Sequence, residues 1–306
     1  MHAFVEAGMG DKPALQPRAA IGPAVRAIAG SILDQARTAI VDPERSNQDA
    51  VHDFRRAIKQ WRALMRLLDP FIPDADRLRQ EARDLARSLT RARDGQSALN
   101  AFDDLLKKGL VLSERSTATI RGHIEAIRGS QEQAVLTPEL RDAIIAWLDA
   151  TAVAIESWPL DPFDFSSIAG QLAAGYRAAR RLIPSDWSQA TAEDLHELRQ
   201  RVVDHRYQME LIEPLWPRHG RMWTDEAERL RDRLGRCQDL ELLKGFTGPH
   251  QPLARWRSRL TPACAARTTE LSHRAARIAH RLFAERPKAF RRRMEALWEQ
   301  DRGNGG

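Results

Sequence analysis

Apolar residues along this chain recur at steps of three and four. Nowhere do β-branched residues alternate with polar ones over five positions. The pattern predicts helices and no strands. Ile21, Val25, Ile28, Ile32 and Ala36 mark a helix over Arg18 to Ile40, closed by Asp42-Pro43. Val51, Phe54, Ile58, Trp61, Met65 and Leu68 mark the next, from about Asn47 to Leu68, stopped at Asp69-Pro70. Leu78, Leu85 and Leu89 face inward from a helix running from Pro73-Asp74 to Arg93, with Gly95 as its break. Two shorter helices are expected over Ala98 to Lys107 and Ser113 to Ile127. Thr137-Pro138-Glu139 offers a capping hydroxyl, a first-turn proline and an acid, and opens a helix carrying Ile144, Leu148 and Ile155.

Trp158-Pro159-Leu160-Asp161-Pro162-Phe163 interrupts the pattern with two prolines among bulky apolar residues, which reads as a packed linker. Beyond it come a helix over Ser166 to Leu182, one opened by Thr191 with Asp194 three residues on, and one over Asp225 to Cys237. Helical pieces over Leu253 to Leu260, Ala263 to Ala284 and Lys288 to Gln300 follow. The expected class is all-α. The expected division is a flexible tail over 1–16, a first helical half over 17–157, a Pro-rich linker over 158–165, a second half over 166–300 and a disordered tail over 301–306.

The polar positions of the second helix are as ordered as its apolar ones. His52, Arg55, Lys59, Arg62 and Arg66 fall within an arc roughly 80° wide when wound at helical pitch. A helix usually sets its charges across from its buried face. Here they sit beside the apolar stripe, which aims them into a groove between helices where a long anion has room to lie.

The same pattern is written twice. Leu195 to Leu215 aligns with Val51 to Phe71 without a gap, at an offset of 144. His52 matches His196, Arg55 matches Arg199, Arg62 matches Arg206, Met65 matches Met209 and Pro70 matches Pro214. One residue out of step, Leu85, Leu89, Arg91 and Asp94 match Leu230, Leu234, Arg236 and Asp239. A repeat this long is a duplicated half-domain, not a short solenoid unit.

The H-x-x-R helix, its repetition, the L-x-x-x-L-x-R-x-x-D block and the segment Tyr176-Arg177-Ala178-Ala179-Arg180-Arg181 resemble the CHAD family, a histidine-marked α-helical domain. The resemblance runs from about Pro17 to about Glu299. It implies two tandem helical bundles related by a pseudo-twofold axis, with a basic channel between them that binds inorganic polyphosphate. It also implies association with polyphosphate granules.

Composition narrows the reading further. The chain has 306 residues, a 42% hydrophobic fraction and 29% charged residues, enough for real cores and against disorder. Net charge is only +6, but just six of the 48 basic residues are Lys. Arginine presents a planar fork of donors suited to phosphate oxygens. Two cysteines are too few for a disulfide framework. With no leader pattern and no apolar run of the roughly 20 residues a span needs, the expected setting is cytoplasmic, with no membrane contact.

The candidate polyphosphate-binding residues are His52, Arg55, Arg56, Lys59, Arg62 and Arg66 on the first histidine helix, and His196, Arg199 and Arg206 on the second. Arg37 and Arg181 precede those helices at the same offset, and Arg91 and Arg236 follow them. Tyr176, Arg177 and Arg180 complete the set. The second copy departs from the first: Gln200, Val203 and Glu210 stand where the first has Arg56, Lys59 and Arg66. An arginine stripe alone is more often a solvated face or a row of ion pairs. Two stripes with matching histidines weigh toward a site. RNA is the competing polyanion, although no helix-turn-helix, zinc or RNA-recognition signature appears and the basic face lacks aromatics for base stacking. A structural adaptor is the other alternative. No cofactor, catalytic residue or metal set is expected: His52-Asp53 lacks the further ligands a phosphohydrolase needs, and no P-loop occurs.

Overall fold

The protein is described by a computed structural model covering residues 14–17, 19–89, 94–132 and 136–303. Among these residues there are eleven α-helices and no strand. The first six are α1 (Ile21–Val41), α2 (Asn47–Leu68), α3 (Ala75–Ser88), α4 (Asp94–Lys107), α5 (Glu114–Glu132) and α6 (Pro138–Glu156). After the linker come α7 (Phe165–Arg181), α8 (Ala192–Leu211), α9 (Pro217–Gly245), α10 (Arg257–Leu282) and α11 (Pro287–Gly303).

Caps fix where the helices begin. Ser46 Oγ accepts from the Asp49 amide at 3.1 Å, and Thr137 Oγ1 from that of Leu140 at 3.3 Å. At α8 the capping box is reciprocal: the Asp194 amide donates to Thr191 Oγ1 at 3.1 Å and the Thr191 amide to Asp194 Oδ2 at 2.8 Å. Each such cap stabilises its helix by about 1 kcal/mol.

Several expected boundaries move. Gly95 does not break a helix. It lies in the first turn of α4, where a Cβ would stand 2.6 Å from Arg128 Cα on α5. Glycine is there because two backbones cross, not because a helix ends. α3 stops at Ser88, and the expected run to Arg93 enters residues 90–93, outside the described residues. α10 passes straight through Pro262, because Leu260 and Cys264 on either side are fully buried and hold the axis against the lost hydrogen bond. α9 starts at Pro217, whose fixed φ suits a first turn. Leu15, placed in the tail by the sequence, is buried, and its amide donates to the Leu211 carbonyl at 2.7 Å. Residues 1–13 and 304–306 lie outside the described residues, and α11 is helical to Gly303.

Helix order and neighbours recur. α1 and α7 begin 144 positions apart. α1 packs on α2 and α6 as α7 packs on α8 and α11, and α4 packs on α5 as α9 packs on α10. Contacts of α2 with α8, and of α4 with α9, join the two sets. The buried apolar residues of both form one continuous cluster. Trp61 is fully buried, its ring 6.0 Å from those of Trp147 and Trp158. Trp158 and Leu160 are buried too, so the linker is packed. Trp216 is 50% exposed. Polar ties cross the join as well: Arg267 on α10 grips Asp104 on α4 with two bonds, Nε to Oδ2 at 2.7 Å and Nη2 to Oδ1 at 3.1 Å. No helix among the described residues is long and apolar enough to cross a membrane.

Candidate anion-binding cleft

α2 and α8 lie against each other, fastened where Gln208 Nε2 donates to the Ala63 carbonyl at 3.2 Å. The shoulder residues of both helices then face a cavity of about 370 Å³, closed on the third side by α9. His52, Arg56, Lys59 and Arg62 enter from α2, Arg199, Gln200 and Arg206 from α8, and Glu228 and Arg231 from α9. A second hollow of about 550 Å³ between α4 and α9 shares Arg199 and Arg231 with the first. There the cations Lys107 and Arg236 meet Asp103, Asp104, Asp232 and Asp239.

Charge in the cleft is crowded. Burial lowers the pKa of Arg62; Asp204 opposes that, while Arg79, Arg83 and Arg87 push the same way as burial. Burial lowers Arg66 too, with Asp204 opposing and Arg201, Arg79 and Arg62 adding to the fall. Asp204, only 8% exposed, lies under this cluster with its Oδ2 2.7 Å from Arg66 Nε. Burial raises its pKa against the pull of Arg66, Arg62, Arg201 and Arg79. A carboxylate ringed by guanidiniums costs less to bury than an isolated one, and it orients them in turn.

The expected residues divide. His52, Arg56, Lys59, Arg62, Arg199 and Arg206 line the cleft. Arg66 reaches Asp204 at its base. His196 is half-buried and meets the cleft only through Gln200, whose Nε2 is 2.5 Å from His196 Nε2. Arg55 turns toward the end of α3, its Nη1 3.5 Å from the Leu89 carbonyl. Arg236 lines the second hollow, 3.9 Å from Asp104. Arg91 lies outside the described residues.

Five residues are elsewhere. Arg37 is ion-paired with Asp149, an α1 to α6 contact away from the cleft. Tyr176 is fully buried, its hydroxyl donating to the Glu285 carbonyl at 3.1 Å and its ring stacked on Phe290 at 4.5 Å. Burial pushes its pKa up to about 12. The warning was in the sequence: Phe165, Ile168, Leu172 and Tyr176 are spaced as one apolar face. Arg177, Arg180 and Arg181 surround a separate cavity with His280, at the ends of α7 and α10, and Arg180 Nε donates to the Phe283 carbonyl at 2.9 Å. Arginines at a helix C-terminus complement its dipole, which accounts for that cluster.

Sequence reasoning missed Arg231, Arg201 and the α3 arginines. Arg79, Arg83 and Arg87 step by four along α3, a spacing that was visible, but that helix was read only for its leucines. Arg231 directly follows the repeat-matched Leu230. Cys237 and Cys264 are free and buried, and burial pushes both thiols up to about 11. Among the described residues no three His, Cys, Asp or Glu side chains gather as a metal site.

Comparison with known proteins bears on these features. A family model described as the CHAD domain matches residues 27–247. Among solved structures, the crystal structure of the CHAD domain from the plant Ricinus communis matches with a TM-score of 0.50 and 20% identity, over 94% of this chain and 95% of that one. At that identity the likeness speaks for the fold alone. No curated protein matches the chain.

Proposed function

The chain belongs to the CHAD family, and from that premise we propose that its cleft binds inorganic polyphosphate without catalysing its breakdown. The observation that carries this reading is the convergence of guanidiniums from α2, α3 and α8 on one place, with the buried Asp204 beneath them. Cations held this close repel one another, and a bound polyanion relieves that repulsion. Residues at helical three and four spacing rise about 5 Å per step, a track that a flexible phosphate chain can follow.

Polyphosphate suits the lining better than RNA does. Besides the His52 imidazole, the one aromatic side chain lining the cleft among the described residues is Tyr207, which is buried and has the Arg206 guanidinium 4.8 Å from its ring centre. Base stacking, which carries much of single-strand binding, has no platform there. In this reading the protein is carried onto polyphosphate granules in the cytoplasm. The halves over 17–157 and 166–300 are tandem bundles about a pseudo-twofold axis, a relation supported by the recurring helix order and neighbours.

The test is filter binding of polyphosphates of defined length with RNA as competitor. Polyphosphate should displace RNA at far lower phosphate-equivalent concentration than the reverse, with affinity falling steeply as salt rises. Equal displacement in both directions overturns the reading. Release of orthophosphate by purified protein overturns its non-catalytic part.

A further inference from the structure

The second half's arginines in the cleft carry carboxylates. Arg206 Nη2 lies 2.8 Å from Glu210 Oε1, and its Nε lies 3.0 Å from Glu228 Oε2. Arg231 is ion-paired with the same Glu228 and lies 3.2 Å from Asp232. Glu210 and Glu228 themselves line the cleft, and Glu210 has a side chain only 10% exposed. Burial raises the Glu228 pKa, but Arg231, Arg206 and Lys59 outweigh it and hold the carboxyl below its usual range. The repeat sharpens the contrast: the first-half partner of Glu210 is Arg66, and one residue out of step the partner of Glu228 is Arg83.

We infer that Glu210 and Glu228 are built-in counter-anions that mask Arg206, so that a bound phosphate chain is held by the α2 side of the cleft and Arg206 adds little until the two carboxylates are neutralised. This deepens the polyphosphate reading and rests on it. The physical ground is competition. A phosphate reaching Arg206 must displace two carboxylates already bonded to it, and must leave them beside the incoming charge. The same phosphate reaches Arg62, where the carboxylate acting on it is Asp204, with less to displace. The masking pair therefore limits affinity, and the lane along α2 carries the ligand.

A double-mutant cycle tests this with full-length protein and one polyphosphate of defined length. Arg206→Ala alone uncovers Glu210 and Glu228 and should lower affinity only a few-fold, well short of the loss from Lys59→Ala with Arg62→Ala. Glu210→Gln with Glu228→Gln should raise affinity roughly tenfold and steepen the salt dependence by about one released counterion. Arg206→Ala added to that pair should remove the gain. Glu226→Gln removes the same charge two residues earlier on α9, where Glu226 pairs with Arg229 outside the cleft lining, and should give a much smaller rise. The inference fails if Arg206→Ala alone costs tenfold, if the Gln pair brings no gain, or if Glu226→Gln matches it. Should the double Gln variant not fold, Glu228→Gln alone, at the more exposed position, carries the same cycle. A wild-type protein that binds no polyphosphate sinks the earlier reading instead. The masking is then still judged from the Arg206 Nε–H signal by NMR without ligand: slow exchange that Glu228→Gln abolishes supports it, and fast exchange in the wild type overturns it.

Discussion

The two histidine helices share a spacing, yet they have diverged at buried and cleft-facing positions alike. Trp61 on α2 corresponds to His205 on α8, and both are completely shielded from solvent. Lys59 corresponds to Val203, Arg56 to Gln200 and Arg66 to Glu210. Arg62 corresponds to Arg206, but Arg62 feels mainly other guanidiniums beyond Asp204, whereas Arg206 is bonded to two glutamates. One copy keeps more cations along its cleft face and the other balances more of its charge internally. A shared helical spacing fixes where side chains point; it does not fix what they carry.

That contrast can be broken in order of size. The largest effect is in the core. Trp61→Ala empties a site lined by Trp147 and Trp158 and should cost about 4 kcal/mol in denaturant unfolding. His205→Ala removes a smaller side chain and one hydrogen bond, from Trp223 Nε1 at 2.8 Å, and should cost about half as much. Equal costs would mean that the two buried positions have not diverged in weight.

Binding comes next. Lys59→Ala with Arg62→Ala should weaken polyphosphate binding about a hundredfold, near 2.7 kcal/mol, while leaving the unfolding midpoint close to wild type. If removing these two costs no more than Arg206→Ala, the cleft is symmetric after all and the comparison collapses.

Acid sensitivity should belong to the second copy. Burial drives the His205 pKa down to about 3, so the folded protein holds it neutral while the unfolded chain takes up a proton near pH 6.5. Protons then favour unfolding: the contribution is intact above about pH 6.5 and is lost progressively as pH falls toward 3, reaching about 2 kcal/mol by pH 5. His205→Leu should flatten that part of the stability curve whatever it does at neutral pH. A slope unchanged in the variant would place the acid response elsewhere. The smallest difference is at the caps. Ser46→Ala should cost about 1 kcal/mol, and Thr191→Ala slightly more because its box is reciprocal.

Much of this was readable from residues alone. Periodicity located the helices, Thr191 with Asp194 announced its cap, and the matched histidines led to two helices that do face a common cleft. What periodicity cannot supply is the partner. Gly95 looked like a stop because the crossing of α5 at Arg128 is a tertiary event. Arg37 looked like a site residue because Asp149, which holds it, is 112 positions away. Tyr176 was weighed by its arginine neighbours instead of by the apolar stripe it continues. Glu210 was noted as a lost cation, but only the approach of α9 shows that, with Glu228, it clasps Arg206.

The grip of Arg267 on Asp104 has a consequence for how the molecule comes apart. Arg267 is nearly sealed from water; one of its carboxylate partners, Glu270, is on its own helix and the other, Asp104, sits on the other side of the linker. Separating the bundles breaks the Asp104 pair and opens the apolar cluster that both share. Calorimetry should therefore trace one melting peak for the whole chain, and cleavage within the Trp158–Phe163 segment should yield two fragments that stay clasped.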